Sequence, residues 1–414
     1  MKKRSLTSIL SAVVISAVVL SSCGRTDNKM TYRINHNTGD RVSLLGFGCM
    51  RFTMVEDENG NRVVDQELVN KLIDKALANG VNFFDNAPMY LQGQNEIAVG
   101  RALVRHRHNR SNFFVTSKMS NFRDFSFEAG KAMYLKSLED LQVDYIDYYF
   151  LHSVGSGGLD RFNERFIDNG LLDFLLAERE AGRIRNLGWS FHGDVAVFDA
   201  MFEMGVHWDF AMIQMNYMDW QHASGRNVNA EYLYNKLVKH NIPVITMSSL
   251  RGGQLSTLGP LATEVLERVT PGRTPSEWGF RYLGSFDGIL TILTGMNTIE
   301  QLEENIRTFS PMKPLSPEEY DAIKEVARIM NTAGFINCTA CGYCLPCPFD
   351  VDIVAVLIEY NRIITEGRSI DPNNEILQQA ALCRDCDLCE PKCPQNLKIV
   401  RELKRIDSLV RAAR

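Results

Sequence analysis

The sequence predicts a closed, parallel (β/α)8 barrel followed by a small helical unit organised around cysteines. Three observations carry this. Between residues 36 and 310, eight short β-rich runs alternate with amphipathic stretches of helix length. Ionisable residues recur at the carboxyl ends of successive runs, where a parallel barrel places its chemistry. Eight of the ten cysteines crowd into residues 338–393, a distribution that favours metal over a disulfide scaffold.

The strand candidates, in order, are residues 42–48, 81–88, 112–118, 144–152, 184–191, 209–217, 242–249 and 288–296. Stretches such as QELVNKLIDKALANG, residues 66–80, lie between them with apolar residues at helical spacing and a glycine stop. A doubly wound open sheet is the alternative. Its glycine-rich dinucleotide fingerprint is missing, because GFGCMRF after the first strand lacks the third glycine and does not open a helix.

The chain has 414 residues, 45% of them apolar and 23% charged, enough for a large core. A net charge of −5 gives no basic face for nucleic acid. The start, MKKRSLTSILSAVVISAVVLSSCGRT, sets three basic residues before an uncharged run from Ser5 to Ser22. Such a start reads as a secretory signal, and LSSC resembles a bacterial lipobox in which Cys23 is acylated. The expected organisation is a signal over 1–23, a tether over 24–35, the barrel over 36–310, a linker helix within 311–334 and the cysteine unit over 335–414. An exported chain would be lipid-anchored on the periplasmic or outer face of a bacterial membrane. A retained amino terminus would leave it cytoplasmic. No other segment is apolar enough to span a membrane.

Asp85 and Tyr90 follow the second run, Lys118 ends the third and His152 ends the fourth. Four convergent ionisable groups on three successive strand ends make a catalytic constellation. Here the sequence resembles the aldo-keto reductases, across nearly the whole barrel. The resemblance implies a TIM barrel, NADP or NAD as cofactor, and a small carbonyl or alcohol as substrate. Tyr90 would deliver a proton to the carbonyl oxygen, Lys118 would lower the phenol's pKa, Asp85 would fix Lys118, and His152 would orient the oxygen.

The same resemblance assigns a cofactor site. Gly48 and Met50 follow the first strand, and Ser190 and Gln214 would hold the nicotinamide carboxamide. Met247 would lie against the nicotinamide, and Ser248, Leu250, Arg251 and Gly252 would cover the pyrophosphate. Gly295, Gln301, Glu304 and Asn305 would contact the adenosine end. Met247 stands where many members stack an aromatic ring, and Phe191 replaces a usual amide. Gly295, Met296 and Gln301 fall where strict NADPH users often carry basic or hydroxyl groups, so NADPH and NADH both stay open.

The run C-x2-C-x2-C-x3-C-P, met by Cys383, Cys386, Cys389 and Cys393, is the bacterial ferredoxin spacing for a 4Fe–4S cluster. Cys338, Cys341, Cys344 and Cys347 follow the same plan with one residue fewer before the last cysteine. Zinc would suit paired C-x-x-C elements, but such sites rarely run four cysteines in tandem. The helical pattern VDIVAVLIEYNRIIT lies between the runs, so the unit resembles an α-helical dicluster ferredoxin. That resemblance implies two 4Fe–4S clusters with exchanged fourth ligands: Cys338, Cys341, Cys344 and Cys393 on one, Cys383, Cys386, Cys389 and Cys347 on the other. Aldo-keto reductases with such a module form a bacterial group. The closing helix carries Ile399, Leu403, Ile406 and Val410 on one stripe and is expected to pack on the body. Cys49 reads as a small buried residue.

Two functions compete. One is an NAD(P)(H)-dependent oxidoreductase whose clusters are structural or exchange electrons with a redox partner protein. The other is an iron–sulfur electron-transfer protein whose barrel binds a partner or ligand without nicotinamide chemistry. Neither implies nucleic acid, and membrane contact is expected through the lipid alone.

Overall fold

In the computed structural model the described residues are 30–223, 229–332 and 334–414. Cys23 and the expected signal and most of the tether lie outside them. Eight parallel strands close into a barrel: β1 (Leu45–Gly48), β2 (Phe83–Asp85), β3 (Phe114–Met119), β4 (Ile146–Val154), β5 (Ile184–Phe191), β6 (Phe210–Gln214), β7 (Val244–Met247) and β8 (Ile289–Gly295). Each pairs with its sequence neighbour, and β8 returns to β1 through Ile292 beside Leu45 and Gly295 beside Gly48.

The barrel is filled rather than hollow. Alternate residues point inward, and Phe83, Tyr148, Phe150, Phe210, Met212 and Ile245 form one buried interior cluster. Phe150 and Phe210 meet edge to face at 4.6 Å, and Phe83 and Tyr148 at 5.1 Å. An antiparallel hairpin, Tyr32–Ile34 with Arg41–Ser43, covers the amino-terminal end. There the Tyr148 hydroxyl donates to Asp40 at 2.8 Å, and Asn35 donates to the same hydroxyl at 3.2 Å. With the interior packed and this end closed, ligand space is left at the carboxyl ends of the strands.

The outer helices form where the sequence supplies both a cap and an apolar stripe. Helix Gln66–Ala78 starts on Asp65, whose carboxylate accepts from the Leu68 amide at 3.0 Å, and buries Val69, Leu72, Ile73 and Ala76. Ser126 caps helix Phe127–Leu141 in the same way. That helix lies so close to helix Asn95–Leu103 that a Cβ on Gly100 would come within 2.2 Å of the Asp140 carbonyl oxygen.

Helix Pro317–Thr332 does not lead freely out of the barrel. Ala322, Ile323, Val326, Ala327 and Met330 join the barrel's own core, against helix Pro260–Val269. Glu319 at its start is gripped by Arg273 and Arg281. The C-terminal unit has a separate core, drawn from helices Ile353–Thr365 and Ile399–Ala412 and from the cysteine loops. Ile399, Leu403, Ile406 and Val410 are buried inside it, not against the barrel. Among the described residues no helix is long and apolar enough to cross a membrane.

Candidate active site

At the carboxyl end of the barrel lies a cavity of about 650 Å³ whose lining includes Asp85, Tyr90, Lys118 and His152. Asp85 closes β2 beside Gly48. From neighbouring β3 the Lys118 ammonium donates to Asp85 Oδ1 at 2.6 Å and to the Asn86 carbonyl at 2.6 Å. The Thr116 hydroxyl donates to the same Asp85 oxygen at 3.3 Å. Tyr90 stands just beyond β2, ahead of a turn in which Leu91 and Gln92 take left-handed φ of 51° and 58°. Its ring centre is 4.9 Å from Lys118 Nζ, and it meets the His152 ring edge to face at 6.1 Å. Ser120 Oγ holds His152 Nδ1 at 2.6 Å, so Nε2 is the ring nitrogen left for a ligand.

All four side chains are buried, and burial sets their charge states. The Tyr90 phenol is pushed well above its ordinary pKa by desolvation, reinforced by the Asp85 and Cys49 charges. It therefore keeps its proton at neutral pH. Lys118, expected to lower that pKa, is paired with Asp85 across 2.6 Å and lies 4.9 Å from the phenol's ring centre. Burial likewise raises Asp85 and lowers Lys118, each opposed by the other's charge. His152 is pushed well below its ordinary value by burial and then by Lys118, Arg165 and His192, which leaves a neutral imidazole. A protonated phenol and a neutral imidazole facing one cavity can give a proton to a ligand oxygen and fix its position.

Most of the expected cofactor residues line the same cavity. Gly48, Met50 and Ser190 lie on one side; Met247, Ser248, Leu250 and Gly252 follow β7; Gly295, Gln301, Glu304 and Asn305 belong to β8 and the helix after it. That helix, Ile299–Thr308, is capped by Thr298, which accepts from the Gln301 amide. Two expected residues are not in the lining. The Arg251 side chain turns inward to an ion pair with buried Asp219 at 3.1 Å, and Gln214 is covered by Gln395 of the C-terminal unit.

Thr339, Tyr343 and Gln395 of the C-terminal unit and Arg51 and His192 of the barrel form part of the cavity wall and carried no signal in the sequence; Cys341 and Pro394, expected only as parts of the cysteine motifs, line it too. Behind the wall, buried Arg165 donates to the His152 carbonyl at 2.8 Å and lies 4.6 Å from the Phe122 ring centre, which anchors the end of β4.

The eight clustered cysteines are free thiols and group across the two runs. Cys338, Cys341, Cys344 and Cys393 line one small cavity. Cys347, Cys383, Cys386 and Cys389, with Cys344 again, line the next. Cys341 faces both its own small cavity and the large one. Among the described residues no three His, Cys, Asp or Glu side chains converge to hold a single metal ion.

The aldo/keto reductase family model matches residues 44–328. The chain is 24% identical over 318 residues to the L-galactose dehydrogenase of Arabidopsis thaliana, covering 73% of this chain and 95% of that protein. To the glyoxal reductase of Bacillus subtilis it is 36% identical over 120 residues, 29% of this chain and 38% of that one. An aldo-keto reductase of Bacillus halodurans in its holo form shares the fold with a TM-score of 0.56 at 23% identity, over 72% of this chain and 96% of its own.

Proposed function

The chain belongs to the aldo/keto reductase family of oxidoreductases, and from that premise we propose that it reduces a small polar carbonyl compound, or oxidises the matching alcohol, with NADPH or NADH. The observation that carries this is the buried constellation of Tyr90, Lys118, Asp85 and His152 on one wall of a cavity that also holds most of the expected nucleotide contacts. When bound, the nicotinamide supplies the hydride to the carbonyl carbon or takes it back. The chain's own residues do the rest. Tyr90, protonated at neutral pH, gives its proton to the oxygen as charge builds there. His152 Nε2 sets the oxygen's position, and the Lys118–Asp85 pair fixes the ground on which the phenol stands. Gly252, with its positive φ, and the amide end of helix Ile299–Thr308 suit the phosphate and adenosine portions of the nucleotide. The polar groups of His192 and Tyr343 in the cavity wall suit a small polar carbonyl compound, a class consistent with the names of the two curated relatives.

Two 4Fe–4S clusters complete the proposal. A cube of iron and sulfide spreads its thiolates over four corners instead of gathering them on one ion. The cysteines of the two runs, drawn together around two small cavities, fit that demand. The inner quartet would be Cys338, Cys341, Cys344 and Cys393, and the outer Cys383, Cys386, Cys389 and Cys347. Cys341 also faces the catalytic cavity, and Cys386 is exposed with Phe349 and Leu388 nearby; the clusters would be structural or exchange electrons with an outside redox partner, and the exposed outer quartet supports the second reading. For the amino terminus we propose export and acylation at Cys23, which gives stable anchoring with two or three chains; fractionation with a Cys23→Ala control tests this.

The experiment that tests the function is equilibrium binding of NADH and NADPH to anaerobically purified full chain, alongside iron and sulfide analysis. Binding with about eight irons per chain is expected. Clusters without nucleotide binding would favour an electron-transfer protein with a non-enzymatic barrel.

A further inference from the structure

The C-terminal unit is fixed on the barrel mouth by direct contacts. Arg51 donates to the Thr339 carbonyl at 2.8 Å, and Gln254 donates to the carbonyls of Ile336 at 3.0 Å and Cys338 at 2.9 Å. A Cβ on Gly252 would lie 2.2 Å from the Thr339 oxygen, and one on Gly259 would lie 2.5 Å from the Thr365 oxygen. The side-chain amides of Gln395 and Gln214 bond to each other across the junction, at 2.9 Å and 3.2 Å. Together these contacts hold the loop from Thr339 to Tyr343 against the cavity. Ala340 and Gly342 in that loop take left-handed φ of 52° and 77°, while Thr339, Cys341 and Tyr343 beside them line the cavity.

Tyr343 differs from the rest of this wall. The Thr339 carbonyl is engaged by Arg51, and Gln395 by Gln214. No group among the described residues hydrogen-bonds the Tyr343 hydroxyl. The charges that bear on this phenol are those of Tyr90, Cys341 and Asp85. Two of these three are catalytic groups, so the hydroxyl end of the ring is turned toward them. A hydroxyl both donates and accepts. One held open beside the reacting centre discriminates a ligand that offers it a polar partner from one that does not, because the second leaves it unpaired.

We propose that Tyr343 of the C-terminal unit is a specificity-determining residue: its hydroxyl hydrogen-bonds a second oxygen of the substrate while Tyr90 and His152 take the reacting one. The preferred substrates are then carbonyl compounds with a hydroxyl beside the carbonyl, and the substrate wall is complete only when the C-terminal unit is docked. This rests on the reductase function proposed above.

The test compares kcat/KM for glycolaldehyde and propanal, which match in heavy atoms and differ by a hydroxyl in place of a methyl. The protein is the anaerobically purified full chain with NADPH or NADH. The unaltered chain should favour glycolaldehyde, and Tyr343→Phe should cut that preference about 5- to 10-fold, as expected for one lost hydrogen bond. The loss should fall mainly on the KM of glycolaldehyde, since the contact is made before and during reaction alike. Tyr343→Leu removes the ring as well and serves if the first variant folds poorly. Hydrogen exchange over residues 339–343 should match the unaltered chain, showing the unit still docked. An unchanged preference in both variants would overturn the proposal, and so would an equal loss for both aldehydes or a propanal preference in the unaltered chain. A fall in NADH affinity with no change in preference would put the hydroxyl at the nucleotide and also overturn it. Failure of the unaltered chain to reduce either aldehyde would overturn the reductase function itself, and this inference with it.

Discussion

Replacing Lys118 by Met removes one member of a buried ion pair and leaves the other stranded. Lys118 is 1% exposed and Asp85 5%, with 2.6 Å between their charged atoms. Once the ammonium is gone, the Asp85 carboxylate keeps only the Thr116 hydroxyl, at 3.3 Å. Breaking a buried pair in this way costs about 3–5 kcal/mol. The cost should depend on pH with a definite sign. Burial already raises Asp85 above its unfolded value, and without Lys118 it rises further. The folded variant therefore binds a proton that the unfolded chain has released, and the penalty grows as pH climbs from about 4 and levels off above the raised folded pKa. Urea unfolding followed by circular dichroism at pH 5 and pH 8 measures this, with the larger loss expected at pH 8. Adding Asp85→Asn to Lys118→Met should restore most of the stability, since no buried charge then remains. A loss below about 1 kcal/mol at pH 8, or a double variant no more stable than the single one, would show that no buried charge is stranded at Asp85.

Glu96 accepts from the Ser117 and Ser137 hydroxyls and is 1% exposed, and burial pushes its pKa up to about 7. Its folded value lies above the unfolded one, so the barrel should lose on the order of 3 kcal/mol as pH rises from about 4.5 to 7; Glu96→Gln should flatten that slope in a melting-temperature profile. Glu319 behaves oppositely: burial pushes it up, but the Ser316 amide, Arg273 and Arg281 outweigh that and hold it at about 2. Its contribution, on the order of 3 kcal/mol, is present above about pH 4.5 and lost as pH falls toward 2. Glu319→Gln should remove it at neutral pH, with faster hydrogen exchange in helix Pro317–Thr332; unchanged exchange there would count against the clamp. Cys386→Ser should remove iron and sulfide equivalent to one cluster and lower the stability of the C-terminal unit while the barrel melts as before, because the cores are separate.

All eight barrel strands were legible because each is an apolar run bounded by turn residues, and burial on both faces leaves such runs unmistakable. Their ends were less so. The run at 81–88 contracts to Phe83–Asp85, since beyond Asp85 the chain must leave the sheet to carry Tyr90. A helix within 311–334 was legible in the sequence, yet helical spacing says that a face is buried and not against what; here Ala322, Ile323, Val326, Ala327 and Met330 join the barrel core. Thus a linker was expected where the structure has part of the barrel. Arg251 was expected at the nucleotide because its loop resembles the family's pyrophosphate-covering loop. Its partner Asp219 opens a short helix after β6, and no local pattern joins them. The largest gap is the wall made by Tyr343 and Gln395. No local pattern in the barrel or in the cysteine unit marks it, because this wall arises from docking one on the other.

If Tyr90 is the proton donor of a nicotinamide-dependent carbonyl reductase, Tyr90→Phe removes the proton and leaves the ring in place. A single turnover with NADPH or NADH and a small hydroxyaldehyde should slow by about 100-fold or more, while nucleotide affinity stays within about twofold because the ring and its packing remain. Undiminished turnover in Tyr90→Phe would contradict that role.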